Sequence, residues 1–275
     1  MKVRIKFQKF GAMKFVGHLD EMRYFQKAFR RAGTDNEYTK GFTPHQIMSF
    51  AAPLGVGLTS DAEYLDLQLL SSDAPEVMME RINAVMTEGF RIIDFRFLLE
   101  REEDRKNVTA MALVSSADYL VSLKDGYQVK EDINTPEKFQ KAFSQFINRN
   151  EIIINKKTKT SEMAVDIKPM ITLTAFDNNE YEALRYKTLK DMETAVANNH
   201  SAVTSVADKY VNGINVYLQL DTGSSSNLKP ELVMEAFCNE LGIEYAGFAW
   251  QVHRLEIYTR EDDSKKLISL DKLER

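Results

Sequence analysis

The chain has 275 residues, 44% of them hydrophobic, enough to bury a sizeable core and long enough for two domains of ordinary size. Its 36 Lys and Arg against 41 Asp and Glu give a net charge of −5, which does not suit a protein that coats nucleic acid over its whole surface. A single cysteine, Cys238, excludes an internal disulfide and any cysteine-built zinc or iron–sulfur centre. The charge is unevenly spread: residues 1–60 hold ten Lys and Arg against four Asp and Glu, a positive island on an acidic body. No run of about 18 apolar residues occurs, and the start MKVRIKFQKF alternates instead of forming a signal-type apolar core, so a soluble cytoplasmic protein with no membrane partner is expected.

Val3, Ile5 and Phe7 alternate with Arg4, Lys6 and Gln8, the period of a half-buried strand. From Gly17 to Ala32 the period becomes helical, with Met22, Phe25, Phe29 and Ala32 on one face and Gly33 as the stop. Strands are expected at Gln46–Ala51 and in EYLDLQLL, then a helix from Ser72 to Gly89 with Pro75 in its first turn and Val77, Ile82 and Val85 inward, then a strand from Phe90 to Leu99. This order, βαββαβ, is that of a ferredoxin-like domain over residues 1–100. REEDRKN, residues 101–107, reads as the linker. A second such domain is expected over 108–275: a strand near Asp118–Leu123, a helix near Pro136–Asn148, strands in EIIIN and AVDIKPMITLTAF, then INVYLQL, a helix from Pro230 to Leu241 and the strand WQVHRLEIY. Local wording repeats between the halves, Pro75-Glu76 matching Pro230-Glu231 and Met79-Glu80 matching Met234-Glu235, which favours two tandem copies of an α+β fold with antiparallel sheets. Residues 177–212 fit neither copy and read as an insertion, helical around Thr188–Ala197.

Asp221-Thr222-Gly223-Ser224-Ser225 has the wording of an aspartic-protease turn, but that chemistry needs a second carboxylate and the chain has no second such motif. Gly55-Val56-Gly57-Leu58-Thr59-Ser60 begins like a dinucleotide fingerprint, yet it leads into a strand and has Ser60 where the third glycine belongs. The loop 223–227 before the Pro230 helix is the better anion candidate of the two, with ordinary N-capping as its simpler explanation. The helix GHLDEMRYFQKAFRRAG sets Arg23, Lys27, Arg30 and Arg31 away from its apolar face, a basic stripe for solvent or an anionic partner, to which the strand basics Lys2, Arg4, Lys6 and Lys9 add. His18 opens that helix and His45 sits in the turn GFTPHQIMSF after it. With Arg23 and Ser49 nearby they form a candidate acid–base pair for metal-independent RNA cleavage, against the plainer reading of a hydrogen-bonded turn histidine. His200 and His253 have no metal-type spacing, and no metal or cofactor is expected.

The stretches KFQKFGAMKFVGHLDEMRYFQKAFRRAG and GFTPHQIMSFAAPLGVGLTSDAEYLDLQL, with KKTK, DIKP, SSNLKPE and HRLEIY further on, resemble a bacterial radical-SAM-linked family of unknown function. Its members are encoded beside, or fused to, a cobalamin-binding-type radical SAM protein. Positions matching its pattern include His18, Asp20, Arg23, Arg30, Arg31, Pro44, His45, Ser49, Glu63, Asp66, Lys156, Lys157 and Arg254. The resemblance implies a radical SAM protein as partner. Radical SAM chemistry needs three clustered cysteines, so a chain with Cys238 alone supplies recognition or docking. The leading expectation is a non-catalytic accessory protein that binds RNA, such as tRNA, or another anion through Arg23, Lys27, Arg30, Arg31, His45, Ser49, Lys156, Lys157 and Arg254. The alternatives are an endonuclease using His18 and His45, and a protein-only adaptor.

Overall fold

A computed structural model describes residues 1–98, 109–157, 162–190, 204–223, 226–260 and 266–273, with Lys156, Lys157 and Glu162 described in their backbone only. The expected linker at 101–107, Ser224 and Ser225, and residues 191–203 of the expected insertion lie outside the described residues. The fold is mixed α+β, with antiparallel strand pairs. The chain forms two compact units, one from Met1–Val114, Lys190–Ala207 and Arg254–Arg275, the other from Ser115–Leu189 and Asp208–His253. The sequence reading divides the chain once, between 100 and 108. In the structure the chain returns twice to the first unit, at Lys190–Ala207 and at Arg254–Arg275, and the second return brings Arg254, Glu256 and Asp271 to that unit's buried charges.

In the first unit, β1 (Lys2–Lys9), α1 (His18–Arg31), β2 (Asp35–Asn36), β3 (Met48–Phe50), β4 (Thr59–Ser71), α2 (Pro75–Asn83) and β5 (Phe90–Leu98) follow in order. β1 lies between β4 and β5, antiparallel to both, and β2 and β3 pair with β4 on its other side. Alternation along β1 decides what each face carries: Val3, Ile5 and Phe7 are fully buried with Leu65, Leu67 and Leu69 of β4 and with Phe25 and Phe29 of α1. The rings of Phe7, Phe25, Phe50 and Phe90 meet at centroid distances of 4.7–6.2 Å, mostly edge-on or tilted, as ring quadrupoles prefer. α1 stops where Gly33 takes φ 66. α2 ends at Asn83, earlier than the expected Gly89, because the Asn83 amide is engaged by the backbone of Ile92, donating to its carbonyl at 2.9 Å and accepting from its N–H at 2.8 Å. Val77, expected inward, is exposed; Met78 and Ile82 fill that side.

The second unit runs β6 (Ser116–Leu123), α4 (Pro136–Ile147), β7 (Ile153–Lys157), β8 (Glu162–Asp166), β9 (Ile171–Ala175), α5 (Asn178–Thr188), β10 (Asn215–Asp221), α6 (Pro230–Glu240) and β11 (Trp250–Arg260), of which residues 254–260 belong to the first unit. A short helix, α3 (Ala110–Leu113), precedes it in the first unit. β10 pairs antiparallel with β6 and β9, and β11 is the neighbour of β6. Phe139, Phe143, Phe146 and Phe237 pack together from α4 and α6, with Trp250 against Phe139. The sequence AVDIKPMITLTAF, expected as one strand, is two. The Asp166 carboxylate accepts from the N–H groups of Ile152 and Lys168, at 2.9 and 3.0 Å, and Pro169 sits in the tight turn Lys168–Met170, so the chain bends there and β8 pairs with β7 instead of continuing into β9. Within the expected insertion a helix spans 178–188, capped by the Asp177 side chain, while the helix expected around Thr188–Ala197 lies for the most part outside the described residues. Among the described residues no helix is long and apolar enough to cross a membrane.

Gly89 has φ 100, and a Cβ there would stand 2.5 Å from Met13 Cγ and 2.8 Å from the Phe10 carbonyl oxygen. Gly33 is also left-handed but meets nothing within 4 Å. Gly89→Ala is therefore expected to destabilise by about 3 kcal/mol, strain and overpacking together, and Gly33→Ala by only about 1 kcal/mol; urea midpoints of the two variants check the order.

Candidate anion-binding face and a buried charge cluster

At 100° per residue, Arg23, Lys27 and Arg30 fall within an arc of about 60° on α1, with Arg31 about 40° beyond it. All four are exposed. Arg23 pairs with Asp20 one turn away at 3.1 Å, an exposed contact of little energy that an incoming anion can replace. Arg30 Nε reaches the Gln26 carbonyl at 3.4 Å, and Arg31 Nη2 donates to the Val85 carbonyl at 3.0 Å, which makes Arg31 partly a tether between α1 and the end of α2. Arg30 and Arg31 also lie in the last helical turn, where the macrodipole favours cations.

A hairpin-like loop stands beside this face. Its stem is held by the Tyr38–Gln46 bridge and by the hydrogen bonds from Ile47 N–H to Glu37 O and from Thr39 N–H to His45 O, at 3.0 and 2.9 Å. Its root is fixed to β4 through Glu37 N–H and Gln68 O at 2.9 Å, and to α1 through Gln46 Nε2 and the Gln26 carbonyl at 3.2 Å. Lys40, Gly41, Phe42, Thr43 and Pro44 form the exposed tip. His45 is a turn residue: its ring Nδ1 lies 3.1 Å from Thr39 Oγ1, and its backbone N–H donates to the same hydroxyl at 3.1 Å.

The predicted site residues do not form one cluster. His18 is at the first turn of α1, its ring edge-on to Phe50 at 5.2 Å. The loop holding His45 is tied to Gln26, eight residues or about 12 Å further along the helix axis. Ser49 faces Asp66 across the β3–β4 pair, on the sheet side opposite Phe50 and Leu65. Arg254 is buried. The side chains of Lys156 and Lys157 lie outside the described structure. Nor do the strand basics add to the α1 stripe: Arg4 Nε and Nη2 donate to Asp66 at 2.8 and 3.2 Å, Lys2 lies 3.4 Å from the same carboxylate, and Lys6 donates to Glu256 and Asp271 at 2.7 and 3.2 Å. The Asp66 carboxylate also caps the start of α3 by accepting from Ala110 N–H at 2.8 Å. Burial alone would lower the Lys6 pKa, but Glu256 and Asp271 outweigh it and hold the ammonium charged.

The sequence reading missed a buried charge cluster behind the N-terminus of α1. Lys9, fully buried, donates to Glu21 at 2.7 Å and to the Val16 carbonyl at 2.9 Å. Arg254 Nη1 donates to both oxygens of Glu63 at 2.9 Å and to the Ala52 carbonyl at 2.7 Å. His18 Nδ1 is buried here with no hydrogen-bond partner. Burial raises the Glu21 carboxyl above its ordinary range, opposed by Lys9. Burial, opposed by Arg254 and reinforced by the like charge of Glu21, pushes Glu63 up to about 7. Among the described residues no three His, Cys, Asp or Glu side chains stand where they could jointly hold a metal ion. The signal for this cluster was periodicity: Lys9 shares the parity of Phe7, Glu63 that of Leu65, and Glu21 lies one turn before Phe25.

A carboxyl whose folded pKa lies above its unfolded value binds the proton more tightly when folded, so its contribution to stability is lost as pH rises from about 4.5 to about 7. For Glu63 that loss is on the order of 3 kcal/mol. Unfolding free energies from urea titrations between pH 4.5 and 8 are expected to fall more steeply for the wild type than for Glu63→Gln, with Glu21 leaving the variant a residual slope. Parallel profiles would contradict the assignment.

No curated protein matches the chain. A family model described as "Uncharacterized protein conserved in bacteria (DUF2344)" matches residues 2–230, which takes in β1, α1, the hairpin-like loop and the start of α6. The chain belongs to this bacterial family.

Proposed function

We propose that the protein is a non-catalytic accessory protein that binds RNA or a comparable polyanion through α1, and that each unit is a ferredoxin-like βαββαβ domain. The strand neighbours support the fold reading. β1 lies between β5 and β4 with β3 outside β4, and β6 lies between β11 and β10 with β9 outside β10, the order expected when two helices cover one face of a split sheet. The observation that carries the functional reading is the segregation of charge. The two acids of α1 itself are paired, Asp20 with Arg23 and Glu21 with Lys9, while Lys27 and Arg30 are exposed on the same side of the helix as Arg23. The placement of His18 and His45 lends no support to a nuclease. A radical SAM protein as the enzyme served is part of the proposal and rests on the sequence resemblance.

Three phosphate contacts predict that log Kd changes with log salt by a slope of roughly 2 to 3. Fluorescence anisotropy with a labelled, structured RNA such as tRNA, from about 50 to 300 mM salt, measures it. Lys27→Glu with Arg30→Glu is expected to weaken binding at least tenfold and flatten the slope, while circular dichroism stays unchanged because both side chains are exposed. Affinity that ignores salt would reject the proposal.

A further inference from the structure

Phe42 is the most exposed large apolar side chain in the chain's described part, with a relative exposure of 110%. Such exposure leaves the apolar faces of the ring open to a partner that can cover them. Its tip is not a loose end: Gly41, at φ 130, and Pro44 bracket it, and the stem below is closed by the Thr39–His45 and Tyr38–Gln46 contacts. The stem is bonded to the Gln26 carbonyl, and Gln26 itself lies about 40° from Arg30 around the helix. An aromatic ring is thus held out from a fixed stem beside a row of cations, with Lys40 two residues away and a second partly exposed ring, Tyr38, in the stem.

Two partner chemistries compete for such a tip. A protein partner would bury Phe42 best within a contiguous apolar patch, but its neighbours in the tip are Lys40, Gly41, Thr43 and Pro44, so the tip offers a single ring in polar company. A nucleobase needs only one flat apolar face, and the phosphates on either side of it need cations. Base stacking on an aromatic side chain is sequence-tolerant and combines with backbone-tracking charge in single-strand binding. Duplex RNA keeps its base faces inside the stack and cannot use the ring. We infer that Phe42 is the stacking platform for an unpaired base, and that the ligand class of the α1 face is single-stranded or looped RNA in preference to duplex. The inference rests on the RNA-binding reading of α1.

The test compares three RNAs of equal phosphate number, an unstructured strand, a hairpin with an unpaired loop and a blunt duplex, against the wild type, Phe42→Ala, Phe42→Trp and the Lys27→Glu, Arg30→Glu pair. The wild type is expected to favour the strand and the loop. Phe42→Ala should weaken those two by about 5- to 150-fold, the range of one lost base stack, and leave the duplex unchanged. Phe42→Trp should retain affinity, and its emission should be quenched by the strand and not by the duplex; the single natural tryptophan, Trp250, is buried and gives a constant background. Unchanged strand and loop affinity in Phe42→Ala, with binding still lost in the charge-reversed pair, overturns this inference alone. An equal loss on all three RNAs also overturns it, and a wild type that binds none of them overturns both this inference and the reading beneath it.

Discussion

A charge taken out of water must find its opposite, and in the first unit that requirement joins opposite ends of the chain. Arg4 reaches the Leu270 carbonyl at 3.1 Å, Lys6 reaches Glu256 and Asp271, and Glu63 holds Arg254, across sequence separations of 266, 250, 265 and 191 residues. Breaking one member of such a pair leaves the other charge uncompensated in a low-dielectric interior, at a cost of about 3–5 kcal/mol. Tyr64 belongs to the same network: its hydroxyl donates to Glu256 at 2.6 Å, and burial beside the two carboxylates drives its pKa far upward, so it stays a donor. The polar side of β1 is therefore as much a structural core as the apolar side, built from ion pairs instead of methyl groups.

This arrangement explains why the positive island of the sequence is smaller in three dimensions than in the chain. Residues 1–60 carry ten basic side chains, yet Arg4, Lys6 and Lys9 are turned inward and neutralised. Of the other seven, Arg23, Lys27, Arg30 and Arg31 form one narrow helical face and Lys40 lies in the loop beside it, while Lys2 pairs with Asp66 and Lys14 precedes the helix. A narrow face of this kind favours a partner that presents charge along a line.

The secondary elements of the first unit were legible because their periodicities are clean. Val3, Ile5 and Phe7 specify β1, and Phe25 and Phe29 specify the buried side of α1. The break at Asp166 was not legible, because a side chain that caps a turn competes with strand pairing through hydrogen bonds that apolar spacing does not record. The candidate site was legible in part. Spacing alone places Arg23, Lys27 and Arg30 together, whereas the separation of His18 from His45 depends on where the Gln46 amide is anchored, a tertiary contact. The charge cluster could have been read, since Lys9, Glu21 and Glu63 occupy core positions by parity. Treating every lysine and glutamate as a surface residue hid it.

The discontinuous make-up of the first unit has a consequence for biosynthesis. While a nascent chain is still being elongated, β1, α1 and β4 can assemble their hydrophobic side, but Lys6, Tyr64 and Glu63 have no counter-groups until residues 254–273 leave the ribosome tunnel. The stretch 115–189 with 208–253 is synthesised in the interval and needs nothing from those last residues to complete its own aromatic core. Maturation should accordingly run out of chain order, with the middle of the polypeptide settling first and the opening strand locked last.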